Sequence, residues 1–360
     1  MDQLGLENFY KSKRILITGN TGFKGAWLSL WLNDLGAIIK GYSLAPPTQP
    51  NLFSITNQNT AYETILGDIR DYQKLYETIE NFQPEIIFHL AAQSLVKYSY
   101  ENPLETFETN IMGTANLLEA AKCSNALRVI INVTSDKYYE NNETGKSFKE
   151  EDRLGGLDPY SSSKACAELV SNSYSHSYFQ NGKVNLATVR AGNVIGGGDW
   201  AQDRLIPDIY RSISKKQKLT LRNPNATRPW QHVLEPLSGY LLLGKVLFEE
   251  KEIIKNNNWN FGPYDSEIKP VEFIVNAFTA LNPKITFEIK STPQHEHQVL
   301  KLDISKVKMY LKWQPKWTIE QTIERIHNWF ECYNSDENMQ EYCISEINEY
   351  TKVQFKKSLQ

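Results

Sequence analysis

The 360 residues are enough for one large domain, or a large and a smaller one, with a core that needs neither metal nor disulfide to hold it. With 39 basic against 42 acidic residues and a formal net charge of -3, the chain lacks the bulk charge of a nucleic-acid binder, so an anionic ligand requires a local cluster of cations. Cys123, Cys166, Cys332 and Cys343 fall in no metal or redox spacing and read as free thiols, residues 1–13 are polar, and no apolar run approaches the roughly 18 residues of a membrane span, which together point to a cytoplasmic protein.

Through the first half, short β-rich apolar runs alternate with longer segments of helical period. Residues 14–18 read as the first strand and are followed at once by Thr18-Gly19-Asn20-Thr21-Gly22-Phe23-Lys24-Gly25, three glycines at GxxGxxG spacing where a helix over 26–35 begins. Gly19 permits the tight turn, Gly22 lets the backbone approach a pyrophosphate, Gly25 allows close helix packing, and Thr21 and Phe23 lie in the same ligand-facing turn. The alternative is a tight strand–helix turn that binds nothing.

A second strand over 37–42 runs into Gly41-Tyr42-Ser43-Leu44-Ala45-Pro46-Pro47. Neither the acid expected to hold an adenosine ribose nor an arginine for a 2′-phosphate is there, which favours NAD, with Ser43 as a modest ribose partner. Gly67-Asp68-Ile69, and Leu90-Ala91-Ala92-Gln93 after a strand over 85–90, are placed to line the adenine and ribose or to be plain loops. Helices are expected over 72–81 and 104–122.

The strand over 128–133 ends in Thr134-Ser135-Asp136-Lys137, where polar side chains at a carboxyl end face a ligand crevice. Ser135 can hydrogen-bond a reacting hydroxyl; Asp136 and Lys137 taken alone read equally as a solvated pair. Tyr160 and Lys164 stand four apart at the start of a helix over 161–179 and so project from one face. A phenol of pKa near 10 is a poor base, but an adjacent ammonium favours its phenolate. A strand over 186–190 completes the alternation of a doubly wound, Rossmann-like parallel α/β sheet. After about residue 193 glycine-, proline- and tryptophan-rich stretches and helices over 237–249 and 319–330 suggest a smaller substrate lobe, with 259–261 returning to the sheet. The expected division is 1–192, 193–335 and a polar tail over 336–360 that is disordered or an oligomer contact. His295 and His297 have no third ligand, and no metal is assigned.

With TGxxGFxG, HLAAQ, TSDK and YSSSK in this order, the chain resembles the extended short-chain dehydrogenases/reductases, and within them the nucleotide-sugar 4,6-dehydratases. GYSLAPPTQPNLF, SDKYYEN, DPYSSSKACAEL, RAGNVIGGGDWAQDRLIPD and RPWQHV, with Lys137 where other dehydratases carry glutamate, resemble the branch that acts on CDP-glucose. The resemblance implies an NAD retained through the cycle, a homodimer or homotetramer, and Gln93, Ser135, Arg190, Asn193, Arg204 and Arg228 around the sugar nucleotide. It also implies Tyr160 as base for C4 oxidation, supported by Lys164, Asp136 as acid at C6 and Lys137 as candidate base at C5. A 4-epimerase would share Tyr160 and Lys164 without needing an acid at C6. A catalytically silent NAD-binding protein would be expected to lose one of that pair.

Overall fold

A computed structural model describes residues 5–57, 62–141, 145–179, 184–249, 257–290 and 299–353. The strands β1 (Arg14–Thr18), β2 (Ile38–Ser43), β3 (Glu63–Leu66), β4 (Ile86–His89), β5 (Val129–Val133), β6 (Asn185–Ala191) and β7 (Asn258–Phe261) form one seven-stranded sheet in the order β7-β6-β5-β4-β1-β2-β3. All neighbours run parallel. The chain leaves β1 toward β2 and returns on the other side with β4, so the loops at their carboxyl ends part and open a crevice.

Both faces of the sheet are covered, as parallel strands require. Leu16, Ile87, Ile130 and Leu186 face helices α2 (Tyr72–Phe82), α3 (Gly113–Ala121) and α4 (Pro159–Tyr178). Their neighbours Ile15, Ile17, Phe88, Ile131, Val133 and Val189 face α1 (Phe23–Asp34) and α5 (Leu234–Glu249). This second core runs on without interruption into residues 193–353, through Trp230, Trp313, α6 (Ile319–Asn334) and Trp329.

Three elements depart from the sequence reading. β3 is a short edge strand, half exposed, with no apolar run to announce it. The expected helix over 104–122 is interrupted by a π-turn at Glu108–Met112, a widening often found beside functional sites, which here carries the buried Asn110. The polar tail is, through Lys352, the helix α7 (Met339–Lys352), which buries Met339, Cys343, Ile347 and Tyr350 against the core containing α1. Apolar residues at a spacing of about four on an otherwise charged segment suffice to dock it. His295 and His297 lie outside the described residues. Among the described residues no helix is long and apolar enough to cross a membrane, and no cluster of three metal-ligating side chains occurs.

Candidate active site

The glycine turn has the geometry its spacing predicts. Gly19 has φ +76°, and a Cβ there would stand 2.7 Å from Ala91 N; at Gly25 it would stand 2.1 Å from Gly19 O. Neither position has room for a side chain. At Gly22 the nearest atom would be 3.4 Å away, an ordinary contact, so what this glycine keeps clear is the approach from outside. Gly22 also caps α1 without a side-chain hydrogen bond, leaving the first N–H groups of the helix to an anion. A dinucleotide diphosphate fits this cradle.

Around it, Leu90 N donates to Thr18 O at 3.1 Å and Ala91 N to Thr18 Oγ1 at 3.3 Å, fastening the loop that continues through Ala92 beside the turn. Ser43 Oγ lies 2.7 Å from Thr21 Oγ1, whose own proton goes to Leu44 O at 2.9 Å. Ser43 therefore donates to Thr21 and keeps its oxygen as an acceptor. Asp68 is held below the usual carboxylate range by its fork to Arg70, at 2.6 and 3.0 Å, and its main-chain oxygen accepts from Tyr42. Ile69 is buried where it meets Gly113.

At the other end of the crevice α4 starts from Asp158, which accepts from Ser161 N at 2.9 Å, with Pro159 in the first turn. That start brings Tyr160 and Lys164, both buried, to the end of β5, where Lys164 Nζ donates to Val133 O at 3.2 Å. Burial raises the Tyr160 phenol, while its hydrogen bond with Ser135 and the charge of Arg204 lower it. Burial brings Lys164 down to about 8, partly opposed by Glu168. Asn110 ties this helix to the β4 loop, donating to Ser163 Oγ at 2.8 Å and Gln93 O at 3.0 Å.

Ser135 caps a short 3-10 turn over Asp136–Tyr138, accepting from Lys137 N at 3.2 Å. Asp136 is buried, and Oδ2 has no hydrogen-bond partner among the described residues. Burial raises its carboxyl to about 6, against the pull of Lys137, Lys24 and Arg228. A carboxylic acid that is partly protonated near neutral pH thus sits among cations.

Lys24 was assigned no role from the sequence. Its field acts in this cluster together with Arg204, Asp136 and Lys164, and burial lowers it to about 8. The signal was present: a lysine in the first turn of a helix opposes the helix dipole and asks for another reason to be there. Arg204 donates to Asp199 and to Ser94 Oγ, each at 3.1 Å, and stays partly exposed. Arg228 is half-buried in a two-residue strand paired with Lys269–Pro270. Asn193 is half-buried, its main-chain oxygen accepting from Gln231 N.

Two expected substrate ligands are committed elsewhere. Arg190 is 1% exposed and forks onto Glu168 at 3.1 and 3.2 Å, with Tyr139 and Glu150 O as further acceptors. It stacks at 4.8 Å over Tyr138, so in this structure its guanidinium is held in the buried cluster around Glu168. The Gln93 side chain donates to Thr106 Oγ1 and accepts from Leu95 N, holding its own loop.

Known proteins resemble the chain over most of its length. The family model described as GDP-mannose 4,6 dehydratase matches residues 16–326. A CDP-glucose 4,6-dehydratase of Salmonella typhimurium is 49% identical over 352 residues, covering 96% of this chain and 98% of that protein. A dTDP-D-glucose 4,6-dehydratase of Dictyostelium discoideum is 28% identical over 72% of this chain and 60% of its own length. Among solved structures, a dTDP-glucose 4,6-dehydratase from Bacillus anthracis in complex with NAD superposes with a TM-score of 0.75 at 23% identity, over 92% of this chain and all of that one (100%).

Proposed function

The chain belongs to the GDP-mannose 4,6-dehydratase family, and on that premise we propose that it converts CDP-glucose to CDP-4-keto-6-deoxyglucose with a bound NAD. The observation that carries the dehydratase reading is the buried, partly protonated Asp136 beside Tyr160, Ser135 and Lys164, an acid for which a 4-epimerase has no use. The choice of CDP-glucose is supported by the identity spread over nearly the whole of both chains and by Lys137 at the position next to that acid.

Bound at the Gly19–Gly25 turn, NAD supplies a reversible hydride acceptor. Tyr160, hydrogen-bonded to Ser135 and next to Lys164, removes the C4 hydroxyl proton. With C4 a ketone, the C5 proton becomes acidic, and Lys137 is the base that takes it. Its pair forms the second bond between C5 and C6. The bond from C6 to oxygen breaks, and that oxygen accepts the Asp136 proton and leaves as water; the hydride taken from C4 would then go to C6 while Lys137 gives the proton back to C5, which leaves the 4-keto-6-deoxy sugar and the cofactor as it began. Lys24, Arg204 and Arg228 form the local cation cluster that a net-acidic chain needs for a diphosphate substrate.

A homodimer or homotetramer in the cytoplasm completes the proposal. The exposed Leu169, on the helix that carries the catalytic pair, with Leu104 and Met112 on two segments packed against that helix, supports an oligomer contact. The test is to incubate purified protein with CDP-, dTDP-, GDP- and UDP-glucose and follow the alkali-stable absorbance of a 4-keto-6-deoxy sugar. Product from CDP-glucose alone is expected. Product from another nucleotide, or a 4-epimer without loss of the C6 oxygen, would replace this reading.

A further inference from the structure

We infer that His89 is a positioning residue for C4 oxidation, its imidazole joining the Gly19–Gly25 turn to the helix that carries Tyr160 through one directed chain of hydrogen bonds. This rests on the function proposed above, with Tyr160 as the base and the glycine turn as the NAD cradle.

His89 is the last residue of β4 and stands in register with Thr18, the last of β1, where the two strands end beneath the crevice. By the alternation of the strand its ring shares the face of Ile87, toward α2, α3 and α4, and it is buried. A polar ring in that apolar place has to be satisfied by its neighbours. Burial, helped by the charge of Lys164, pushes its pKa down to about 3, so the ring is neutral and carries a single proton.

The neighbours decide which nitrogen holds that proton. Thr114 Oγ1, on α3, lies 3.3 Å from Nε2 and gives its own proton to Asn110 O at 2.7 Å, so toward the ring it can only accept. The proton is therefore on Nε2, and Nδ1 is a bare acceptor. Thr18 Oγ1, 2.7 Å from Nδ1, donates to it while accepting from Ala91 N at 3.3 Å. Every donor points the same way, from Ala91 N through Thr18, His89 and Thr114 to Asn110 O. At one end the chain holds Ala91 against the glycine turn, where a Cβ on Gly19 would stand 2.7 Å from Ala91 N. At the other, Asn110 in the π-turn donates from its side chain to Ser163 Oγ at 2.8 Å, and Ser163 donates to Tyr160 O at 2.7 Å. Oxidation at C4 needs the hydride acceptor and the phenol in place together, and one ring spans the supports of both.

The two ring nitrogens can be removed separately, since a glutamine amide reaches the place of Nε2 and an asparagine amide that of Nδ1. His89→Gln keeps a donor for Thr114 and leaves the Thr18 proton without its acceptor. NAD affinity by calorimetry should fall roughly tenfold, the loss of one buried hydrogen bond, while the NAD-saturated enzyme oxidises CDP-glucose at close to the wild-type rate. His89→Asn keeps the acceptor for Thr18 and takes the donor from Thr114. Here NAD affinity should hold, and bound NADH should appear roughly tenfold more slowly in a single turnover with CDP-glucose. Equal losses in both readings for both variants would mean a merely structural ring, and no loss in either overturns the inference as surely. If neither variant folds, Thr114→Val, which cuts the chain between His89 and Asn110, should show the asparagine pattern, and normal oxidation in it counts against the inference. In the unaltered protein, NMR of isotopically labelled imidazole nitrogens should find His89 as the Nε2–H tautomer; the Nδ1–H tautomer would break the chain at its centre. Tyr160→Phe run alongside separates the two levels. A stalled Tyr160→Phe with a wild-type-like His89→Asn sinks the His89 link alone, whereas a Tyr160→Phe that oxidises CDP-glucose normally overturns the base assignment and the link with it.

Discussion

Two carboxylates are buried beside the end of β5, on either side of it, and burial raises both; what differs is how many of their hydrogen-bond positions are filled. Glu168, on α4, has both oxygens taken: Thr134 at 2.5 Å, Thr188 at 2.6 Å, and the Arg190 fork at 3.1 and 3.2 Å. Burial pushes its carboxyl up to about 7, against the hydrogen bonds from Thr134 and Thr188 and the charge of Lys164, and pushes the Arg190 guanidinium down to about 9. Asp136, toward α1 and α5, has an oxygen with no partner and a raised pKa. A satisfied buried ion pair fixes two elements against each other; an unsatisfied acid keeps its proton available. Burial alone therefore says nothing about role, and the count of filled hydrogen-bond positions does.

Breaking the satisfied side should have the largest effect. Arg190→Met leaves Glu168 buried and unpaired, which costs on the order of 3–5 kcal/mol of stability by urea unfolding. If Arg190 bound the nucleotide sugar instead, the variant would keep its stability and lose only substrate affinity, and the contrast between the two sides would collapse. On the catalytic side, Tyr160→Phe keeps the ring in its buried place and removes the proton acceptor. Turnover should fall by at least about two orders of magnitude with little change in melting temperature. Near wild-type turnover in that variant would remove Tyr160 from the chemistry.

The comparison is sharpest when the same chemical change is made on both sides. Asp136 has a folded pKa of about 6 against 3.8 for the ordinary side chain, so ionising it works against the fold. The sign follows: the native state binds the proton more tightly, wild-type stability falls as pH rises between these values, and the loss is complete above about 6. Asp136→Asn should therefore stabilise the protein by roughly 2–3 kcal/mol at pH 8 and by almost nothing at pH 4, while blocking elimination. Glu168 is raised too, to about 7, but its amide would leave Arg190 a buried cation without its carboxylate, and that cost is the larger, so Glu168→Gln should destabilise at pH 8. Paired urea titrations of the two amides at the two pH values decide it; shifts of the same sign for both would contradict the distinction.

Much of the site was legible because it is local in sequence. The Gly19–Gly25 turn, Ser43 at the end of β2 and the Tyr160–Lys164 pair each sit at one strand or helix terminus, where spacing fixes direction. The role of Arg190 was not legible, since its partner Glu168 is 22 residues away on another element and only tertiary packing joins them. The edge strand β3 lacked a hydrophobic run. The helix α7 was masked by its charged majority, although Met339, Cys343, Ile347 and Tyr350 trace one face.

The smallest expected effect lies at the cofactor end, where the contrast between satisfied and open groups recurs on a single hydroxyl. Ser43 gives its proton to Thr21, because the Thr21 proton is spent on Leu44 O, so it can accept from a ribose hydroxyl but offers only one neutral oxygen. Ser43→Asp would reverse the bond to Thr21, which turns its proton from Leu44 O to the new carboxylate, and would present a second, charged oxygen to the ribose. A charged acceptor binds a hydroxyl about twice as strongly as a neutral one and repels a 2′-phosphate. NAD should therefore bind several-fold more tightly and NADP more weakly, by calorimetry. The site is 7% exposed in the free protein, so the added charge should also lower stability slightly in the absence of cofactor. Unchanged or weaker NAD affinity would place the ribose away from Ser43 and leave that hydroxyl as a lock between β2 and the glycine turn.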